Sequence, residues 1–300
     1  EDYNYICTAN FPEPTILDGT KNFQPTLYTG DGSVRNIDQT GNRTFQPDMV
    51  WIKNRSAADD HMLIDAARGV TKELNPNNGL AAESTDANGL TSFDSDGFGL
   101  GTGADGYNDD TESFVAWQWL AGGGAGSSNT DGTINTTTTT ANTTAGISIG
   151  TYTGTGVAAT IGHGLGVVPK MVIVKDRGDA QDWYVYHQAN TTAPETEYLL
   201  LNATQTTNDN TYWNDTLPTS TVFSLGTSSA LNGSGDTYVC YVFAEIEGFS
   251  HFGSYIGNGN ARGAPAIVGF KPAWVMIKKT TGTGGWVMYD SQRSPYNEID

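Results

Sequence analysis

Short apolar runs bounded by turn residues recur along this chain, and one of them is written three times. Pro47-Asp48-Met49-Val50-Trp51-Ile52-Lys53 returns as Pro169-Lys170-Met171-Val172-Ile173-Val174-Lys175 and as Pro272-Ala273-Trp274-Val275-Met276-Ile277-Lys278. Such a run is too short for a helix, is rich in branched side chains, and starts with a proline, which is tolerated at the first residue of a strand. It predicts a central strand buried on both faces. Past each lysine stands a ring residue (His61, Trp183 or Trp286), then three apolar residues, then Asp65, His187 or Asp290. Two short apolar runs separated by a polar loop predict a hairpin. Arg68 and Arg293 follow Asp65 and Asp290 at the same spacing, which predicts an ion pair pinning the next turn. His187 and Asn190 are expected to hydrogen-bond in that place in the second copy.

The match extends on both sides of the hairpin, as an internal repeat requires. Upstream lie Tyr28-Thr29-Gly30-Asp31-Gly32, Tyr152-Thr153-Gly154-Thr155-Gly156 and Tyr255-Ile256-Gly257-Asn258-Gly259. Downstream, the first two copies share Phe98-Gly99-Leu100-Gly101 with Phe223-Ser224-Leu225-Gly226, then Asn108 with Asn232, then an aromatic strand. Alternation places Val115, Trp117 and Trp119 on one face of that strand, and Val239, Tyr241 and Phe243 on the matching face. Those faces are expected to form sandwich interiors. The expected class is all-β, with tandem antiparallel β-sandwich (jelly-roll-like) domains. The division is 1–22 as an extended lead-in, 23–121 as repeat one, 122–146 as a Gly/Ser/Thr-rich linker, 147–248 as repeat two, and 249–300 as an incomplete repeat three. The linker composition predicts a tether between repeats one and two. The missing half of repeat three predicts that the natural chain continues or that a partner completes it.

Composition narrows the partners. Fifteen basic against 33 acidic side chains give a net charge of −18. That sign repels phosphate backbones and anionic headgroups, so nucleic acid and membrane insertion are not expected. Cys7 and Cys240 are the two cysteines; their pairing stays open, and nothing reads as a disulfide framework or zinc site.

Candidate chemistry is sparse. Gly101-Thr102-Gly103-Ala104-Asp105-Gly106 fits the dinucleotide string but lacks a helical period behind it, so a loop is expected. Gly146-Ile147-Ser148-Ile149-Gly150 fits the nucleophile-elbow string but alternates like a strand. Asp94-Ser95-Asp96-Gly97 and Asp105 to Asp110 could donate oxygens to calcium, although neither has the spacing of a calcium hand. No catalytic residue and no cofactor other than that calcium are expected. Features present in every copy (Pro47, Lys53, Asp65, Arg68, Pro169, Lys175, Trp183, His187, Pro272, Lys278, Trp286, Asp290, Arg293) read as scaffold, because one active site seldom needs three copies.

Phe45 to Ser56, Asp65-Ala66-Ala67-Arg68-Gly69, Ser92 to Phe98 and Phe243-Ala244-Glu245-Ile246-Glu247-Gly248-Phe249-Ser250 resemble the repeated domain of unknown function found in tail-fibre-like and other virion structural proteins of marine bacteriophages. The resemblance covers most of residues 23 to 300. It implies a virion component, without enzymatic activity, on the particle surface or otherwise extracellular. Its expected partners are other virion proteins, further copies of itself and a host-surface glycan. Tyr212 and Trp213, flanked by polar residues outside the repeated core, are the expected binding residues, with cover for a domain edge as their other reading. A glycan-cleaving virion enzyme and a bacterial surface or filament adhesin are the rival functions.

Overall fold

The computed structural model describes residues 14–79, 81–260 and 263–293. Cys7 and most of the expected lead-in lie outside them. The first stretch forms β1 (Phe23–Thr29), β2 (Arg35–Asp38), β3 (Met49–Asn54), β4 (Met62–Asp65), β5 (Lys72–Glu73), β6 (Ser84–Thr85), β7 (Leu90–Asp94), β8 (Gly97–Leu100) and β9 (Ser113–Trp119). The second forms β10 (Thr138–Asn142), β11 (Ile147–Thr153), β12 (Ala159–Gly162), β13 (Met171–Asp176), β14 (Tyr184–His187), β15 (Glu197–Leu200), β16 (Asn208–Asp209), β17 (Val222–Leu225) and β18 (Thr237–Phe243). A single turn of helix, α1 (Ser229–Asn232), precedes β18, and β19 (Trp274–Ile277) and β20 (Val287–Asp290) close the described chain. The fold is all-β, built of several antiparallel sheets rather than a closed barrel. No helix among the described residues is long and apolar enough to cross a membrane.

The three repeated runs sit in hairpins of one register. Met49 opposes Asp65, Met171 opposes His187, and Trp274 opposes Asp290. In the first sheet the order is β1-β9-β3-β4; in the second it is β10-β11-β18-β13-β14-β15-β16. The aromatic strand is central in both, antiparallel to β1 and β3 as β9, and to β11 and β13 as β18. Smaller sheets, β2-β8-β7 and β12-β17, cover one side of each. Between the layers of the first pair lie Val50, Ile52, Ile64, Phe98 and Phe114; between those of the second lie Val172, Val174, Tyr186, Phe223 and Leu225. Period-two alternation sends the intervening residues the other way.

Those intervening residues account for a departure from expectation. Val115, Trp117 and Trp119 do share a face, as do Val239 and Tyr241, but neither face lines a sandwich interior. Both turn outward from their own small sheet and meet each other. Trp51, Trp117, Ile173, Trp183 and Tyr241 form one buried cluster, against which Trp274, Met276 and Trp286 of the β19–β20 hairpin are packed. The first and second sheets therefore touch face to face and are not separated by a tether. The burial of both faces of β3 follows: all of Met49 to Ile52 is buried.

Residues 122–146 also differ from a free linker. Thr138–Asn142 pairs with β11 as β10, and Ile134 is buried beside β12. Threonine is a good strand former, and a strand on the sheet edge needs few apolar side chains. Gly122 to Gly124 have a separate task. The N–H groups of Ala121 (2.7 Å), Gly123 (2.8 Å) and Gly124 converge on the buried Asp48 carboxylate. Burial pushes that carboxyl up from its usual value, and the three donors pull it back.

Candidate functional site

The polar residues shared between copies are held by the frame itself. Asn108 accepts from Asp31 N (3.1 Å) and donates to Ser33 O and Gly101 O; Asn232 accepts from Thr155 N (2.8 Å) and donates to Val157 O and Gly226 O. Tyr28 and Tyr152 donate to the carbonyls just before those asparagines, Tyr107 O and Leu231 O, each at 2.7 Å. The glycines after the tyrosines are required by close approach. A Cβ on Gly30 would stand 2.1 Å from Asp109 O, and one on Gly154 would stand 2.2 Å from Gly233 O. Lys53, Lys175 and Lys278 reach over their own hairpin loops to carbonyl oxygens, Asp59 O (2.8 Å), Asp179 O (3.0 Å) and Gly284 O. Burial lowers all three ammonium groups, Lys175 to about 8.

The acid–arginine pairs form as expected and also join the sheets. Asp65 Oδ2 receives Arg68 Nε at 2.6 Å with both side chains fully enclosed, and receives Tyr241 OH of the second sheet at 2.7 Å. Arg68 adds Leu63 O (2.8 Å) and Glu83 (3.2 Å), and Glu83 in turn holds Arg177 of the second sheet at 2.9 Å. At the third hairpin, Arg293 pairs with Asp290, donates to Met288 O and lies 5.2 Å over the Trp117 ring. Trp117 Nε1 donates to Asp290 Oδ2 at 3.2 Å. The ring residues do similar bridging. Trp183 Nε1 donates to Asn75 O (3.0 Å) and Trp286 Nε1 to Leu200 O (2.8 Å). His61 instead accepts from Trp51 Nε1 at 2.9 Å.

In the second copy Asn190 N donates to His187 O at 3.0 Å, but the two side chains bond elsewhere. His187 Nδ1 accepts from Ala189 N (3.1 Å), and Asn190 Oδ1 accepts from Thr207 (2.6 Å). Burial lowers both His61 and His187 to about 4, so both rings are neutral near pH 7. Trp213 is 2% exposed, donates Nε1 to Glu197 O (3.1 Å) and meets Tyr186 edge-on. Tyr212 makes edge-on ring contacts with Tyr184 and Tyr198. The pair thus covers the β14–β15 region, and Trp213 has no free face for a ligand. Gly101 to Gly106 runs from the end of β8 into a single π-helical turn (Ala104–Asn108) before β9, and Gly146 to Gly150 runs into β11.

What the sequence did not reveal is an apolar cleft of about 790 Å³ beside the third hairpin. Ile16, Trp51, Trp119, Phe243, Phe252 and Trp274 line it. It opens where the two larger sheets carry their aromatic central strand and the β19–β20 pair carries none among the described residues. Trp274 Nε1 is buried there without an acceptor, while Val275, Val287 and Tyr289 are exposed on the opposite face. The lining suits an apolar contact surface rather than acid–base chemistry. A family model described as Domain of unknown function (DUF7483) matches residues 18–300. The chain belongs to this family. No curated protein and no solved structure matches it. The DUF7483 match spans every element described above, from β1 to the end of β20.

Proposed function

We propose that this DUF7483 chain is a structural, host-contacting component of a bacteriophage particle, a tail fibre or surface fibre without enzymatic activity. One observation carries the reading: the polar residues repeated among the hairpins are engaged in holding loops and joining sheets, with Asp65, Arg68, Asp290 and Arg293 at the junctions. Groups so engaged are poor candidates for chemistry on a substrate, which requires reach to a reacting atom. In this reading the three hairpins are copies of one sandwich module gathered around a shared aromatic core. The loops at its rim offer polar contact surface to a host glycan, and the apolar cleft offers surface to a neighbouring virion protein.

The test is direct. Mass spectrometry of purified particles, with immunogold labelling against this chain, is expected to place it on the particle surface. Purified protein is expected to bind host cells and release no sugar from their polysaccharide. Absence from particles, or turnover of a polysaccharide, would overturn the proposal.

A further inference from the structure

Asn54 and Asp176 hold the same place in two sheets. Each ends its strand, and each opposes the first aromatic residue of the central strand, Phe114 or Tyr238. Glu112 and Asp236 stand two residues before those aromatics. In the first sheet the Asn54 amide donates to Asp59 Oδ2 (2.5 Å) and to Glu112 Oε2. An N–H donor thus lies between carboxylates that otherwise repel. The first sheet also gathers three acids, Asp59, Asp109 and Glu112, but the Asn54 amide binds two of them; in the second sheet Asp176 stands in the place of that donor. Carboxylate oxygens of Asp176, Asp179 and Asp236 all lie within 4.8 Å of one another.

Asp176 is 1% exposed. Its Oδ1 accepts from Gly178 N (2.8 Å) and Asp179 N (3.0 Å), whereas its Oδ2 is buried with no partner. A buried carboxylate oxygen left unpaired is costly. The nearby cations are engaged elsewhere: Lys175 Nζ is on the Asp179 carbonyl, and Arg177 is on Glu83. Burial accordingly raises the Asp176 carboxyl.

We propose that Asp176, Asp179 and Asp236 bind a Ca²⁺ ion at this loop end of the second sheet. The donor set is all oxygen, which selects a hard cation over a transition metal. Oxygens at about 2.4 Å from one ion stand at most about 4.8 Å apart, and the three carboxylates meet that limit. Asp179 is exposed, so water completes the shell from that side. The ion does for the second sheet what the Asn54 amide does for the first.

Calorimetric titration of the whole chain with Ca²⁺ tests this. The wild type is expected to bind one ion with half-saturation at ~0.1–1 mM, the range of extracellular modules. Asp176→Asn, which restores the first-sheet pattern, is expected to weaken binding at least tenfold. Asp179→Asn, at an exposed position, is expected to do the same. Asn54→Asp is expected to raise the stoichiometry to two. No binding by the wild type at ~10 mM overturns the proposal. Unchanged affinity in both Asp176→Asn and Asp179→Asn overturns it as well.

Discussion

Replacing Asp65 with alanine removes one carboxylate from the junction of the first and second sheets. Three donors lose their acceptor: Arg68 Nε (2.6 Å), Arg68 N (2.9 Å) and Tyr241 OH (2.7 Å). Arg68 keeps Leu63 O and Glu83, so its guanidinium is left short of charge but not stranded. Breaking a fully enclosed ion pair from one side costs ~3–5 kcal/mol, and the unpaired tyrosine hydroxyl adds ~1 kcal/mol. Retained contacts to Glu83 offset part of this, for a net loss of about 4 kcal/mol. At ~2–4 °C per kcal/mol for a chain of this size, the melting temperature is expected to fall by about 10 °C. Asp290→Ala provides the internal comparison. Arg293 is 26% exposed, so water can take over part of its solvation, and the loss is expected to be about half as large. Asp65→Leu combined with Arg68→Met is expected to regain most of the stability, because the desolvated charges leave together. Urea unfolding followed by far-ultraviolet circular dichroism measures all of these. An Asp65→Ala loss below ~1 kcal/mol, or one equal to that of Asp290→Ala, would refute the assignment of this pair as an enclosed junction.

Further outcomes follow from individual groups. His61 and His187 have folded pKa values of about 4 against an ordinary 6.5, so the unfolded chain binds more protons between those values. Stability is therefore expected to fall as pH drops from 6.5 towards 4, by at most ~3 kcal/mol per ring, and His61→Asn with His187→Asn should flatten the urea midpoint over that window. Lys175, lowered from 10.5 to about 8, gives the same sign higher up: the unfolded chain holds the proton longer, so stability should rise between pH 8 and about 10.5 and cease to do so in Lys175→Met. Ile52→Ala, at a position with no exposure between β3 and its small covering sheet, should cost ~2–5 kcal/mol in the same urea assay. Cys240 is fully buried and its thiol is pushed up to about 12, so in a Cys7→Ser variant no thiol should react with a disulfide reagent until the protein is unfolded.

The hairpins were legible because a run of four apolar residues between a proline and a lysine leaves few alternatives, and Asp65 and Asp290 mark the end of the second strand. Alternation also assigned Trp117 and Tyr241 to a common kind of face. It could not say what covers that face, because period two separates two sides without naming their neighbours. The threonines from Thr136 to Thr140 were misleading for a related reason: composition separates a core strand from a linker but not an edge strand from one. Trp213, set among polar residues, gave no sign that Glu197 O and Tyr186 would enclose it. The exchange of Asn54 for Asp176 stands in the aligned copies, yet it acquires meaning only when Asn54 is seen between Asp59 and Glu112.

Differential scanning calorimetry addresses most directly whether the three hairpins share one core. Trp51, Trp117, Trp183, Tyr241, Trp274 and Trp286 meet in a single cluster, so their sheets should lose structure together. One endotherm is expected, with calorimetric and van't Hoff enthalpies in agreement. Two resolved endotherms, with the second sheet surviving the melting of the first, would show separate domains and contradict the shared core.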